Sequence, residues 1–345
     1  RSRGLGDVYK RQMIDRLSET IDPVEITVLS GFLGSGKTTL IRTLLERPDL
    51  ERTAVIINEF GEIGLDHELI ESSEEDLVEL STGCICCVMR GDLQEAIERL
   101  MVRQQTGKVF DRIILETTGL ADPGPILHSL IYNEYLKSLV RLDRVVITAD
   151  ALSGLNSIEN FKECPQQIAL ADIILITKAD IDPTNVDDLR RELRRINPEA
   201  FIYKSNFGMT EVDLFSLNGQ QIEKVSENGI DEHSHHHTHS DLHSISFRRK
   251  QPIKAVTLTL FLETLAQVLG QNLVRLKGIV YLEESLKTPA VIHGVQHVFH
   301  PMSWMADWSG EEPETRLVLI GRKFSLDWVE AVLETIEEEV AQTMS

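Results

Sequence analysis

The sequence predicts an α/β protein, a parallel sheet with helices on both faces, followed by a smaller α/β unit. Three observations carry this. Short apolar runs at residues 26–29, 53–57, 111–116, 145–148, 173–176 and 201–203 read as buried strands, with helical patterns between them. The run Gly31-Phe32-Leu33-Gly34-Ser35-Gly36-Lys37-Thr38-Thr39 fits a phosphate loop, placed between a strand and a helix as that motif requires. At 345 residues the chain suits about two domains, and a polar stretch at 208–250 separates the two.

After the phosphate loop, Leu40, Ile41, Leu44 and Leu45 give helical apolar spacing. Strand 53–57 runs into Asn58-Glu59-Phe60-Gly61-Glu62. Residues 65–79 are acid-rich and irregular, with Glu71, Glu74, Glu75, Asp76 and Glu79 read as a solvated face. Gly83-Cys84-Ile85-Cys86-Cys87 reads as a polar turn, and a helix is expected over 91–102 with Leu93, Ile97, Leu100 and Met101 on one side. Strand 111–116 ends in Glu116 and continues as Thr117-Thr118-Gly119. Helical pieces at 151–161 and 165–169 and a charged helix at 187–196, ended near Pro198, complete the pattern. Ligands of such a sheet gather at the carboxyl ends of its strands, where these motifs are expected to fall.

The expected units are a leader at 1–21, non-native or disordered, a nucleotide-binding domain at 22–207, a linker at 208–250 and a second domain at 251–345. The linker holds His233, His235, His236, His237, His239 and His243, which either collect metal ions weakly or belong to a solvated segment. In the second domain we expect strands at 253–260, 274–282, 290–298 and 317–320, a helix at 263–269, and a helix from residue 326 with Val329, Val332, Leu333, Ile336 and Val340 as its apolar stripe. His293, His297, His300, Trp304 and Trp308 read as ordinary packing and surface residues, and Cys164 as inert.

The balance of 35 basic against 55 acidic residues argues against a nucleic-acid or anionic-membrane surface. No apolar run reaches a membrane span and no signal peptide is visible, so a cytoplasmic location is expected.

Phosphate chemistry follows from the loop. The glycines let backbone N–H groups curl round an anion, and the helix from Gly36 points its positive end at the charge. Gly34, Ser35, Gly36 and Thr39 would cradle the phosphates, Lys37 would reach the outer ones, and Thr38 would give its hydroxyl to Mg²⁺. Glu116 would hold that ion through water, and the Gly119 N–H could meet the terminal phosphate. No residue is assignable as orienting the attacking water, which fits a slow hydrolase. Thr177-Lys178-Ala179-Asp180 stands where guanine readers sit: Asp180 can accept both guanine donors, the Lys178 stem can cover the ring, and GTP is favoured over ATP.

Of four cysteines, Cys84, Cys86 and Cys87 are spaced as soft metal ligands rather than as a disulfide framework, and Zn²⁺ is the leading ion. Three cannot close a four-thiolate site. Glu59, Glu62, a histidine or a partner could supply the missing ligand, and an incompletely enclosed site suits metal hand-over. A structural site and a redox pair stand as alternatives.

Taken in this order, the phosphate loop, the Asn58–Glu62 run, the Cys-x-Cys-Cys turn, Glu116-Thr117-Thr118-Gly119 and Thr177-Lys178-Ala179-Asp180 resemble the CobW-like family of phosphate-loop GTPases. The likeness covers nearly everything after Asp22. It implies GTP-dependent metallochaperones that bind zinc, or in some branches cobalt, and deliver it to client enzymes. By motif, Lys37, Thr38 and Glu116 match its phosphate and Mg²⁺ residues, Asp180 its guanine reader, and Cys84, Cys86 and Cys87 its metal ligands. Thr177 departs from the Asn of many GTPases. GTP/GDP, Mg(II) and Zn(II), with Co(II) in some branches, are the expected ligands, a client metalloprotein the expected partner, and a metal- or nucleotide-dependent homodimer a further expectation. The rivals are a zinc buffer or sensor whose affinity GTP sets, a cobalt chaperone for cobalamin or nitrile hydratase type clients, and a regulatory GTPase whose cysteines stabilise a loop.

Overall fold

The structure is a computed structural model and describes residues 22–57, 77–79, 85–88, 93–105, 110–206, 209–210, 214, 242–308, 310 and 312–344. The first sheet contains β1 (Val24–Gly31), β2 (Thr53–Ile57), β3 (Leu77–Glu79), β4 (Ile85–Val88), β5 (Arg112–Glu116), β6 (Val140–Asp150), β7 (Ile173–Thr177), β8 (Phe201–Asn206) and β9 (Met209–Thr210). Its spatial order is β3-β4-β2-β5-β1-β6-β7-β8-β9. All neighbours are parallel except at the two edges, where β3 pairs antiparallel with β4 and β9 with β8. The central strands are buried along nearly their whole length, as continuous Val/Ile/Leu runs demand.

Helices cover both faces. On one side α1 (Lys37–Leu45) presses Leu40, Ile41, Leu44 and Leu45 onto Leu29, Val55, Ile114 and Val146. On the other, α2 (Leu93–Gln105), α3 (Gly124–Tyr132), α4 (Glu134–Leu139), α5 (Gly154–Asn160), α6 (Glu163–Leu170) and α7 (Val186–Ile196) contribute to a core that includes Ile97, Leu100, Leu127, Ile168 and Leu193. Acids open α7 and arginines close it, in the sense the helix dipole favours. The sequence pattern did not reveal α3 and α4. They are separated by Asn133, whose side chain accepts from Tyr135 N and Leu136 N and starts the second helix.

The second unit begins at β10 (His243–Arg249), followed by α8 (Ala255–Leu269), β11 (Leu273–Leu282), β12 (Ser285–Val295), β13 (Val298–Phe299), β14 (Ser303–Trp304), β15 (Thr315–Gly321) and α9 (Leu326–Met344). Its antiparallel sheet runs β10-β15-β11-β12-β13, with β14 on β12. One face packs on the helices through Leu276, Leu319, Phe261, Leu265 and Leu333. Val274, Val295, Val298 and Ile320 instead join the core of the first unit, so the two units share apolar packing.

Several expectations are corrected. Residues 77–79, read as irregular, pair with β4. The cysteine turn is a strand: Cys86 pairs with Val55 and Cys87 with Ile56, because the flanking Ile85 and Val88 suit a pleated position between two neighbours. These two cysteines therefore stand within a strand, not beyond its carboxyl end. Segment 253–260 is not a strand. The alternation Val256-Thr257-Leu258-Thr259-Leu260 imitates period two, yet the buried positions Leu258, Phe261, Leu265 and Leu269 follow a helical face. Segment 243–249, placed in the linker, is an edge strand paired with Thr315–Gly321. The strand expected at 290–298 breaks at Gln296, which adopts a φ of 54° in the turn from β12 to β13.

Candidate functional site

The phosphate loop leaves β1 at Gly31 and enters α1 at Lys37. Gly31, Gly34 and Gly36 have φ of 141°, 70° and 94°, in the left-handed region where a side chain is strained. Gly31 is doubly constrained, because a Cβ there would lie 2.3 Å from Thr148 Oγ1. Beneath the loop is a buried hydroxyl network: Ser35 Oγ meets Thr148 Oγ1 at 2.6 Å, and Thr117 Oγ1 donates to Ser30 Oγ at 2.7 Å. Lys37 is buried and its Nζ donates to Gly31 O at 2.8 Å and Phe32 O at 3.1 Å. Burial lowers its pKa from the ordinary lysine value, and the Glu116 carboxylate opposes this by favouring the charge.

Glu116, at the end of β5, is buried and in register with Leu29 and Ile57 on its two sides. A buried carboxylate close enough to act on Lys37, with Thr38 half-buried at the start of α1, fits a hydrated divalent cation. Gly119 reaches the phosphate loop directly: a Cβ on it would stand 2.7 Å from Leu33 N. Thr39 is exposed one residue further along α1.

Thr177-Lys178-Ala179-Asp180 lies at the end of β7, beside the loop. Thr177 Oγ1 donates to Ser35 O at 2.7 Å. Lys178 has a φ of 55° and its Nζ lies 3.8 Å from Asp150 Oδ1, while Asp180 is exposed. Asp150 was not singled out from the sequence, although a strand-end acid is the signal that marked Glu116. It is buried, accepts from Leu152 N and Ser153 N at 3.1 and 2.8 Å, and draws Lys178 toward the site. The structure thus gathers Gly34, Ser35, Gly36, Lys37, Thr38, Glu116, Gly119, Lys178 and Asp180 along adjacent strand ends.

Among the metal candidates, Cys86 and Cys87 have their backbone in β4, while Cys84, Glu59, Glu62 and the histidines from 233 to 239 lie outside the described residues. In the sheet register Cys87 pairs with Ile56, and the next residue of β2, Ile57, pairs with Glu116. Among the described residues no group of three or more His, Cys, Asp or Glu is placed to hold a metal. Cys164 is buried behind the loop, where burial first and then Asp150 push its thiol up to about 12, so it stays protonated.

The CobW/HypB/UreG nucleotide-binding domain pattern matches residues 25–204, and the cobalamin synthesis protein cobW C-terminal domain pattern matches residues 242–337. The chain belongs to the CobW family. The zinc chaperone YjiA of Escherichia coli is 32% identical over 307 residues, covering 87% of this chain and 95% of its own length. A zinc chaperone CobW of a Sinorhizobium species is 29% identical over 338 residues, covering 86% of this chain and 92% of its own. The crystal structure of Zn(II)-bound YjiA GTPase from E. coli matches with a TM-score of 0.71 at 29% identity, over 92% of this chain and 99% of that one. The CobW family pattern covers every nucleotide motif read above, from the Gly31 loop to Asp180. Among the described residues no helix is long and apolar enough to cross a membrane.

Proposed function

We propose that this CobW-family GTPase is a zinc metallochaperone whose nucleotide state governs a Cys-x-Cys-Cys site. The observation that carries the reading is the direct approach of Gly119 to Leu33, which places the loop after Glu116 against the phosphate loop. A terminal phosphate arriving there must be felt by that loop, and its loss on hydrolysis removes that influence.

GTP binds with its phosphates over Gly34, Ser35 and Gly36 and the start of α1, with Lys37 turning from its carbonyl partners to the phosphate oxygens. Thr38 and Glu116 would hold Mg²⁺, which would supply positive charge beside the phosphates. Asp180 reads guanine, Lys178 covers the ring, and Thr177 keeps both in step with the loop. Cys84, Cys86 and Cys87, with Glu59 or Glu62, carry zinc as cargo for a client protein. The β4–β2–β5 register supports coupling, since a single strand, β2, lies between Cys86 and Cys87 on one side and Glu116 on the other. The zinc names of the relatives support zinc over cobalt.

The test is competition and release. GTP and GDP, but not ATP, should displace a fluorescent guanine nucleotide, and GTP hydrolysis should change the rate at which bound Zn²⁺ passes to a chromogenic chelator. Displacement by ATP as readily as by GTP would contradict the assignment of Asp180, and release indifferent to hydrolysis would contradict nucleotide control.

A further inference from the structure

We propose that Gln167 is a positioning residue for GTP hydrolysis, fixing the Gly119 loop against the phosphate loop, and that its neighbour Gln166 ties the same loop to the second unit. The inference rests on the proposed reading in which the Gly119 N–H meets the terminal phosphate.

Gln167 lies on α6 and is fully buried. Its Nε2 stands 3.1 Å from Gly119 O and 2.9 Å from Ala121 O. Two carbonyl oxygens around one amide atom identify that atom as the nitrogen, since an amide oxygen there would meet two like dipoles. Its Oε1 has no hydrogen-bond partner among the described residues. Burying an unpaired amide oxygen is unfavourable, so what the position gains from glutamine is the pair of donors aimed at the loop. Gly119 is therefore gripped from two sides, by Gln167 through its carbonyl and by Leu33, whose backbone leaves no room for a Cβ.

The grip has a fixed base. At the carboxyl end of α6, Asn197 Nδ2 donates to Ile168 O, Ala169 O and Ala171 O at 2.8, 3.2 and 3.0 Å. Arg275 of β11 donates to Leu170 O and pairs with Asp172. Gln166, half-buried one residue before Gln167, donates to Asp122 Oδ2 at 2.8 Å and accepts from Arg322 at 3.4 Å. Asp122 in turn accepts from Gly124 N at 2.8 Å, and a Cβ on Gly124 would come within 2.7 Å of Gln296 Nε2 at the β12–β13 turn. The loop from Gly119 to Gly124 is thus set relative to the second unit by two adjacent glutamines and the α6 platform. A shift of Gly119 toward a terminal phosphate strains or carries these bonds, which gives the second unit a direct link to nucleotide state.

The test uses the full chain and compares Gln167→Met and Gln166→Leu with the unaltered protein. GDP affinity, affinity for a non-hydrolysable GTP analogue and single-turnover GTP hydrolysis are measured on each. GDP lacks the terminal phosphate, so Gln167→Met should keep GDP affinity within about twofold while analogue affinity and the hydrolysis rate fall about tenfold. Gln166→Leu should shift the same two quantities in the same direction by less, and carries the test if Gln167→Met does not fold. Unchanged analogue affinity and hydrolysis, or equal losses for GDP and analogue, overturn the inference. An unaltered chain that neither prefers the analogue nor hydrolyses GTP overturns the proposed function and this inference with it. A normal unaltered chain beside normal variants overturns the inference alone.

Discussion

Thr177 donates its hydroxyl to the main-chain carbonyl of Ser35 across 2.7 Å, so the segment proposed to read guanine is bolted to the loop proposed to hold phosphate. Where many GTPases carry Asn, this chain makes that tie with a hydroxyl. Replacing Thr177 by Val keeps the shape and removes the donor, leaving a buried carbonyl without its partner. The expected cost is about 1 to 2 kcal/mol in GDP binding, read by isothermal calorimetry. Thr177→Ser retains the donor and should bind nearly as the unaltered chain does.

Gly31 has no room for a side chain. A methyl group would meet Thr148 Oγ1 at 2.3 Å and Thr148 O at 2.5 Å, and the φ of 141° disfavours any L-residue. Gly31→Ala should lower stability by about 3 kcal/mol or more and abolish GDP binding, measured by denaturant midpoint and nucleotide fluorescence. Gly34→Ala, where a Cβ meets nothing within 4 Å but φ is 70°, should destabilise by only about 1 kcal/mol.

The interface between the units should be acid-sensitive. His293 is pushed from 6.5 down to about 4, by burial first and then by Lys277, Arg275 and His300, against the pull of Asp172. Between those two values the unfolded chain takes up a proton that the folded chain refuses, so stability falls as pH drops through this window and is unaffected above it. Burial alone would raise the Asp172 pKa, but Arg275, Lys277, the Val145 N–H and His293 bring it to about 2 from 3.8, and its contribution is lost only below that upper value. The melting temperature of a His293→Gln variant should therefore decline less than that of the unaltered chain between neutral pH and about pH 5. Parallel declines would remove His293 from the account.

Arg275 is buried and joins Leu170 O and Asp172 across the two units. Arg275→Met leaves Asp172 with the Val145 N–H at 2.9 Å and, as its cation, the more distant Lys277 at 3.7 Å. Loss of one partner of such a pair costs about 3 kcal/mol, and the unfolding trace of the variant should separate into two transitions by calorimetry. A single transition at the unaltered temperature would show that apolar packing alone holds the units together.

The parts of the fold that were legible in sequence are those encoded locally. The glycines and Lys37 of the loop, the apolar runs of β1, β2, β5 and β7, and the helical spacing of α1 and α7 all state their structure within a dozen residues. The misreadings have a common physical origin in distant partners. β10 looked like linker because its pairing partner, Thr315–Gly321, lies far along the chain. Alternating Thr and Leu in α8 imitated a strand until the second sheet supplied the face that buries Leu258 and Phe261. Cys86 and Cys87 looked like a turn because the strand pairing them on one side is β2, whose partners Val55 and Ile56 lie 31 residues earlier in the chain. Of the candidate site, Lys37, Glu116 and Asp180 could be named by motif. Asp150 and Gln167 were not, because each acts through residues remote in sequence, on Lys178 and on the Gly119 loop.

The central claim is that nucleotide state and metal affinity are coupled. The measurement that tests it most directly is Zn²⁺ affinity by competition with a chromogenic chelator, in GDP and in a non-hydrolysable GTP analogue. It is made on the intact chain and on a variant combining Cys84→Ser, Cys86→Ser and Cys87→Ser. The account predicts affinities that differ between the two nucleotide states by about tenfold, with the difference lost in the cysteine variant. Equal affinity in both states on the intact chain would contradict it.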